Sequence, residues 1–172
     1  MISLIRERAL THFADMASVY HRSLRHVWVV SPWITTSESF YALNVLMNVI
    51  ERSHALLTVV TRRPEKPNHQ AAFNAIMSLP QAEIFLIRHL HAKLYLLECD
   101  GLRGALIGSA NFTLEGDSEL VEVVADVRTS RESDDAAQFT KDLLEFARDL
   151  TIHRDVECAK NLASGWWRGE RT

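Results

Sequence analysis

Three short apolar runs decide the fold of this chain: Val27-Trp28-Val29-Val30, Leu56-Leu57-Thr58-Val59-Val60 and Ile84-Phe85-Leu86-Ile87. Each run is rich in β-branched or aromatic residues and almost free of polar ones, which is typical of a strand that is covered on both faces. The segments between the runs predict helices over 37–53 and 68–78. A strand–helix–strand–helix–strand order favours parallel strands joined by crossover helices.

The segments on either side of this unit extend the prediction. Apolar residues recur at spacings near three and four over 3–25 and again over 133–150, so we expect a helix at each end. Three more strands are expected at 92–99, 104–107 and 120–127. Asp100-Gly101 predicts a hairpin between the first two, with a loop that extends through Arg103. The predicted fold is α/β, with a mixed, mostly parallel sheet flanked by helices on both faces.

Length and composition predict one domain over residues 1–172. The 172 residues match the roughly 150 of a typical domain, and 47% hydrophobic with 24% charged residues is ordinary for a globular protein. The 19 Lys+Arg and 22 Asp+Glu give a net charge of −3, which argues against a polybasic protein but allows a local basic cleft. Disordered and coiled-coil chains are therefore disfavoured.

The sequence also predicts a cytoplasmic protein without membrane contact. Two cysteines, Cys99 and Cys158, are too few for a disulfide scaffold and suit a reducing compartment. No apolar run approaches the ~20 residues that span a bilayer. The charges of Arg6, Glu7 and Arg8 stand where a signal peptide would need an apolar stretch.

Four polar side chains of complementary chemistry follow the parallel unit. His91 and Lys93 share a face if they lie in a strand, and Ser109 and Asn111 have the same spacing after the next strand. If those strands pair, the set fits a phosphate, because lysine supplies positive charge and the hydroxyl and amide donate hydrogen bonds. A neutral imidazole can attack phosphorus or transfer a proton. Glu122, one strand further on, can hold the second ring nitrogen as a triad carboxylate does.

These residues resemble the HxK…GSxN signature of the phospholipase D superfamily. The matching segments are His91-Ala92-Lys93, the acidic Glu98 and Gly108-Ser109-Ala110-Asn111-Phe112-Thr113, and Glu122 follows at a similar spacing. The resemblance extends over residues 27–127 and is to the small, single-motif, nuclease-like branch. It departs at Glu98, where the family has aspartate. Strand alternation turns Glu98 away from His91, so we expect a supporting role, with Asp100 as a substitute if the strand bulges.

The resemblance implies a phospholipase D-like fold and a metal-independent phosphodiesterase, here interpreted as a nuclease. DNA is favoured over RNA as its substrate, but the sequence does not decide between them. One histidine attacks the phosphodiester to form a phosphohistidine, and a second protonates the leaving oxygen and then activates water. This chain has one His-x-Lys motif, so we infer a homodimer in which each copy contributes one His91. No cofactor and no metal is expected, because Lys93 and Asn111 supply the electrostatic stabilisation. Ser109 and Glu122 complete the catalytic set, and Gly108 supports it.

Four residues that follow predicted strands are candidate substrate contacts: Ser31, Trp33, Arg62 and Arg63. The two arginines stand at the sheet edge where ligands of α/β proteins bind, and we expect at least one to contact a nucleic-acid phosphate. Trp33 either stacks a base or fills the core. Ser31 either contacts substrate or caps the following helix. A positive groove would be widened by three basic residues near the motif: Arg88, His89 and Arg103. For His89, an ordinary surface position is the simpler interpretation.

Two other functions stay open. A nucleic-acid-binding module without catalysis is favoured by Glu98 in place of aspartate and by the net negative charge. A phospholipid-cleaving enzyme shares the motif, but the single copy of that motif and the lack of a basic amphipathic helix favour nucleic acid. Family analogy suggests partner proteins of a restriction or phage-defence system. The tail with Trp166 and Trp167 contacts nucleic acid or a partner, or packs on the body; the sequence does not decide.

Overall fold

The computed structural model describes residues 2–5, 7–37, 40–118, 124–129, 134–161 and 166–167. Within these residues the chain forms nine strands and five helices. In chain order they are β1 (Ile2–Ile5), α1 (Ala9–Val19), β2 (Leu24–Val30), α2 (Tyr41–Ser53), β3 (Leu56–Thr61), α3 (Pro67–Ser78), β4 (Ala82–Ile87), β5 (Leu94–Cys99), β6 (Leu102–Gly108), α4 (Leu114–Ser118), β7 (Val124–Arg128), α5 (Asp134–Thr151), β8 (Val156–Asn161) and β9 (Trp166–Trp167). The strands form one sheet in the order β1-β7-β6-β5-β2-β3-β4-β8-β9.

The central strands confirm the predicted parallel unit. β2 pairs in parallel with β3, and β3 pairs in parallel with β4, with α2 and α3 as the connections. The other six strand pairings are antiparallel. The expectation of a mostly parallel sheet is therefore wrong, although the sheet is mixed and the fold is α/β. After β4 the strands are added differently: β5 and β6 are joined by a two-residue hairpin, and a connection that short gives antiparallel neighbours.

Helices cover both faces of the sheet, as predicted. Val27 and Val29 of β2 point to the face that packs against α1, α2 and α3, whereas Trp28 and Val30 point to the face that packs against α5. This two-sided burial explains why the central strands lack polar alternation. No helix within the described residues is long and apolar enough to cross a membrane.

The expected opening helix over 3–25 is wrong at both ends. β1 pairs antiparallel with β7, α1 occupies only Ala9–Val19, and β2 already begins at Leu24. The start of α1 is fixed from a distance, because the buried Asp117 accepts hydrogen bonds from the backbone nitrogens of Leu10 (2.8 Å) and Thr11 (3.0 Å). The pairing of β1 with β7 and the hydrogen bonds to Asp117 both involve residues more than 100 positions away, so the local sequence pattern does not predict them.

The elements after β4 agree more closely with the prediction from the sequence. The hairpin at Asp100-Gly101 forms, but its loop has only two residues because Cys99 pairs with Leu102. Gly101 takes the left-handed conformation, with φ 76°, that such turns require. The closing helix is α5, whereas β8 and β9 were not predicted. Of the expected strand 120–127, residues 120–123 lie outside the described residues.

Candidate active site

The loop over residues 88–93 crosses one edge of the sheet. β4 ends at Ile87, but β5 begins at Leu94 beside Val30, on the far side of β2. The loop therefore traverses three strand spacings, about 14 Å, over the carboxyl ends of β3 and β2. This edge is where α/β folds place their ligands. His91 and Lys93 both lie in this loop, so Lys93 precedes the strand that the sequence predicted over 92–99.

His91, Lys93 and Ser109 line one cleft of about 460 Å³, here called the His91 cleft. His91 and Ser109 are exposed, and Lys93 is half-buried with its Nζ donating to the His91 carbonyl at 3.3 Å. The backbone nitrogen of Gly108 donates to the Lys93 carbonyl at 3.5 Å, which holds the end of β6 against the motif. An imidazole, an ammonium group and a hydroxyl thus share one opening. This set can bind and attack a phosphodiester.

The opposite wall of the His91 cleft is apolar and comes from α5. Leu143 and Phe146 line it, together with Leu94 and Ile107 of the sheet. Leu143 is buried, but 44% of Phe146 is exposed. The sequence pattern assigned both residues to the apolar stripe of the last helix. That periodicity cannot distinguish a member of the stripe that lines an open cleft, such as Phe146, from one that is buried in the core, such as Ala147.

Asn111 lies two residues beyond Ser109 but is not part of the cleft lining. Its Oδ1 is buried and has no hydrogen-bond partner among the described residues. A buried amide terminus without a partner costs about 1–3 kcal/mol, so this side chain is poised to accept one. A 180° rotation of the amide would present its NH2 group at the same place, a donor that suits a phosphate oxygen.

Ser31 positions the loop that carries Asn111, and this differs from both expected roles. Its side chain is buried; Oγ donates to the Trp33 carbonyl at 2.7 Å and accepts from the Phe112 backbone nitrogen at 2.9 Å. Burial excludes the expected substrate contact in this structure. α2 begins only at Tyr41, without a side-chain cap, so Ser31 does not cap the helix either.

Trp33 contacts protein groups in this structure, which favours the packing alternative. Its ring stacks on His69 with centroids 5.1 Å apart, and the Arg62 guanidinium carbon lies 5.1 Å from the ring centroid. The same guanidinium donates from Nε to the Leu90 carbonyl at 2.8 Å. Trp33 and Arg62 therefore hold the loop immediately before His91.

The predicted arginines line a second cleft of about 540 Å³, here called the arginine cleft. Arg62 and Arg63 are joined there by Arg88 and His89, which directly precede the motif. The positive charge of Arg63 is compensated by an ion pair with Glu157, in which Nη2 and Oε2 are 2.5 Å apart. Arg88 and His89 are exposed and have no ion pair with another described residue. Two further carboxylates line this cleft: Glu65 and Asp155. Its mixed charge suits contacts to individual phosphates better than diffuse attraction of a polyanion.

Glu98 lies far from His91 and supports the packing of α5. It is four residues along β5 from Leu94, about 13 Å, and its Oε1 accepts from Trp28 Nε1 at 3.0 Å. Oε2 lies 3.9 Å from Arg148 of α5. Nearby, burial lowers the pKa of His26 to about 4; Glu98 opposes this shift and Arg148 adds to it.

The remaining candidates lie away from the His91 cleft or outside the described residues. Asp100, the possible substitute for the family aspartate, forms an exposed ion pair with Arg25 at 2.8 Å. Arg103 of β6 lies opposite Glu98 of β5 in the strand register, next to the hairpin turn. This is the end of the sheet away from the His91 cleft, so Arg103 does not widen the positive groove. Glu122 lies outside the described residues, and its role stays a prediction. Within the described ranges, no three His, Cys, Asp or Glu side chains cluster as a metal site.

Comparison with known proteins places the fold. No protein-family model and no curated protein sequence matches the chain. Solved structures do: a phospholipase D family member, Nuc from Salmonella typhimurium, matches with a TM-score of 0.66 and 12% identity, over 94% of this chain and 100% of that one. NucT from Helicobacter pylori gives the same TM-score and identity, over 94% and 99%. A variant of yeast tyrosyl-DNA phosphodiesterase matches with a TM-score of 0.51 and 15% identity, over 89% and 37%. The chain therefore has the fold of a phospholipase D family member.

Proposed function

We propose that this chain is a metal-independent nuclease that cleaves phosphodiester bonds through a phosphohistidine on His91, in a site shared by two copies. The observation that carries the proposal is the His91 cleft, where His91, Lys93 and Ser109 open together onto the carboxyl edge of the sheet. The fold supports it, because the neighbours include a phospholipase D family member and a tyrosyl-DNA phosphodiesterase. Fold alone does not specify chemistry, so the proposal rests on the side chains.

In the first step, a neutral ring nitrogen of His91 attacks phosphorus, and a bond to one ester oxygen breaks. That oxygen leaves as a hydroxyl after it takes a proton from an imidazolium. In the second step, water attacks the phosphohistidine, its proton passes to the imidazole that is now neutral, and the N–P bond breaks. The products are an alcohol and a phosphate monoester, and both histidines return to their starting states.

The second imidazole comes from another copy of the chain. His91 is the one imidazole that lines its cleft within the described part of the chain. The first step needs a neutral imidazole as nucleophile and an imidazolium as acid at the same time, and a single ring cannot be both. In a dimer with its two-fold axis beside the cleft, the partner subunit's His91 supplies the acid.

Lys93 and Asn111 stabilise charge on the reacting phosphate. The Lys93 ammonium group shares the His91 cleft, and its present bond to the His91 carbonyl is long enough, at 3.3 Å, to exchange for a phosphate oxygen. Asn111 offers the buried amide terminus that now lacks a partner. Glu122 is proposed to orient the His91 ring. Arg62, Arg88 and His89 of the arginine cleft are proposed to contact phosphates beyond the scissile one.

Cleavage of nucleic acid is expected to persist in EDTA, because the proposed stabilising charges belong to side chains. The test incubates fluorescent single- and double-stranded DNA and RNA with the protein in EDTA, and measures its mass by sedimentation. The expected result is cleavage, strongest on DNA, by a dimer of the 19.6 kDa chain. Cleavage that needs added Mg²⁺, or an active monomer, would contradict the proposal. Binding without cleavage would identify a nucleic-acid-binding module instead.

A phospholipid-cleaving enzyme is the second candidate, and one observation favours it. The apolar wall formed by Leu143 and Phe146 borders the His91 cleft and resembles a surface that apolar substrate groups contact. Release of headgroup from phospholipid vesicles, with no cleavage of any oligonucleotide, would select this candidate.

A further inference from the structure

We propose that Phe146 forms a nucleoside subsite, in which its exposed ring stacks on the base or sugar next to the scissile phosphate. This inference rests on the proposed nuclease function and names what holds the substrate beside His91. Phe146 is separate from the charged groups of the site, since it belongs to α5 and not to either motif loop.

The position of Phe146 in the cleft is the first reason. It lines the same opening as His91, Lys93 and Ser109. A phosphodiester held by these groups carries an organic substituent on each side of phosphorus. In a cleft of about 460 Å³, a size typical of ligand sites, one of those substituents can reach the apolar wall.

The exposure of the ring is the second reason. Leu143, one turn earlier on α5, is buried, whereas Phe146 is 44% exposed. An aromatic ring with this much exposed area can stack on any of the bases, because every base has a π-face. The acyl chains of a phospholipid begin several bonds away from phosphorus and stay in the bilayer, so a nucleoside is the better occupant.

Another residue of α5 provides a matched control. Phe139 lies two turns before Phe146 on the same helix and is similarly exposed, at 41%, but it does not line the cleft. Loss of an exposed phenyl ring from this helix can therefore be separated from loss of the ring in the cleft.

The experiment measures kcat/KM for oligonucleotides with a single cleavage position, made with a normal or an abasic nucleotide next to it. Phe146→Ala is expected to lower kcat/KM about tenfold on the normal substrate and to leave the abasic substrate nearly unchanged. Phe146→Tyr should stay within about twofold of the wild type, since a tyrosine ring stacks equally well. Phe139→Ala should change neither substrate.

An equal loss on both substrates or the same loss in Phe139→Ala would overturn the subsite. So would a change of the sedimenting mass in Phe146→Ala, which would make the ring part of the interface between copies. If the wild-type protein cleaves neither substrate, the proposed nuclease function itself fails. If it cleaves both and Phe146→Ala is unaffected, only the subsite fails.

Discussion

Replacing His91 by alanine is expected to lower phosphodiester cleavage by roughly 10³-fold or more, because the variant has no nucleophile and no partner acid. The fold should survive the change. The His91 side chain is exposed, and the bond that it shares with Lys93 uses its backbone carbonyl, which alanine keeps. Cleavage rates and a thermal melt measured on the same preparation check both halves of the prediction.

His21→Ala is the control for this variant. His21 lies in the turn between α1 and β2, at the end of the sheet away from the His91 cleft, where its ring bonds the Ser18 carbonyl at 2.9 Å. Its removal should leave cleavage unchanged. Ordinary activity in His91→Ala would eliminate His91 as the nucleophile, whatever the control does.

Replacing Gly116 by alanine is expected to lower cleavage about 100-fold and to destabilise the fold by about 1–3 kcal/mol. A Cβ on Gly116 would lie 2.4 Å from the backbone oxygen of Asn111 and 3.2 Å from Thr113 Oγ1. Backbone cannot move aside as a flexible side chain does, so the Asn111 loop must shift. Loss of its position removes the amide that the proposed mechanism uses.

Gly104→Ala is the matched control, because a Cβ at Gly104 meets nothing within 4 Å. It should retain activity and stability close to those of the wild type. The measurements are kcat/KM and the free energy of unfolding in urea. If Gly116→Ala behaves like Gly104→Ala, the close approach of α4 to the Asn111 loop has no functional consequence.

The sequence predicts the central part of the fold well, for a physical reason. β2, β3 and β4 are buried on both faces, so each carries its signal in its own residues. β1 and β8 depend on pairing with strands far away in sequence. Their local patterns are weak, and the energy that forms them comes from the neighbour.

The same distinction, between local sequence signals and contacts with distant residues, applies to the candidate site. His91, Lys93 and Ser109 could be predicted because their residue types and spacing carry the chemistry. The sequence leaves Ser31 between a substrate contact and a helix cap, since a hydroxyl after a strand has the same appearance whether it faces solvent or a loop. Its true partner, the backbone nitrogen of Phe112, is 81 residues away. The exposure of Phe146 in the cleft could not be predicted, because helical periodicity places it in the same apolar stripe as the buried Leu143 and Ala147.

The most direct measurement is to trap the covalent intermediate. Protein mixed with an oligonucleotide labelled at the scissile phosphate is quenched in alkali, digested and examined by mass spectrometry. Alkali is chosen because a phosphorus–nitrogen bond on imidazole persists in base and breaks in acid. The expected result is the labelled phosphorus, still esterified to one part of the oligonucleotide, on the peptide that contains His91, and its absence in His91→Ala. Steady cleavage with no adduct, or an adduct on a different side chain, would contradict attack by His91.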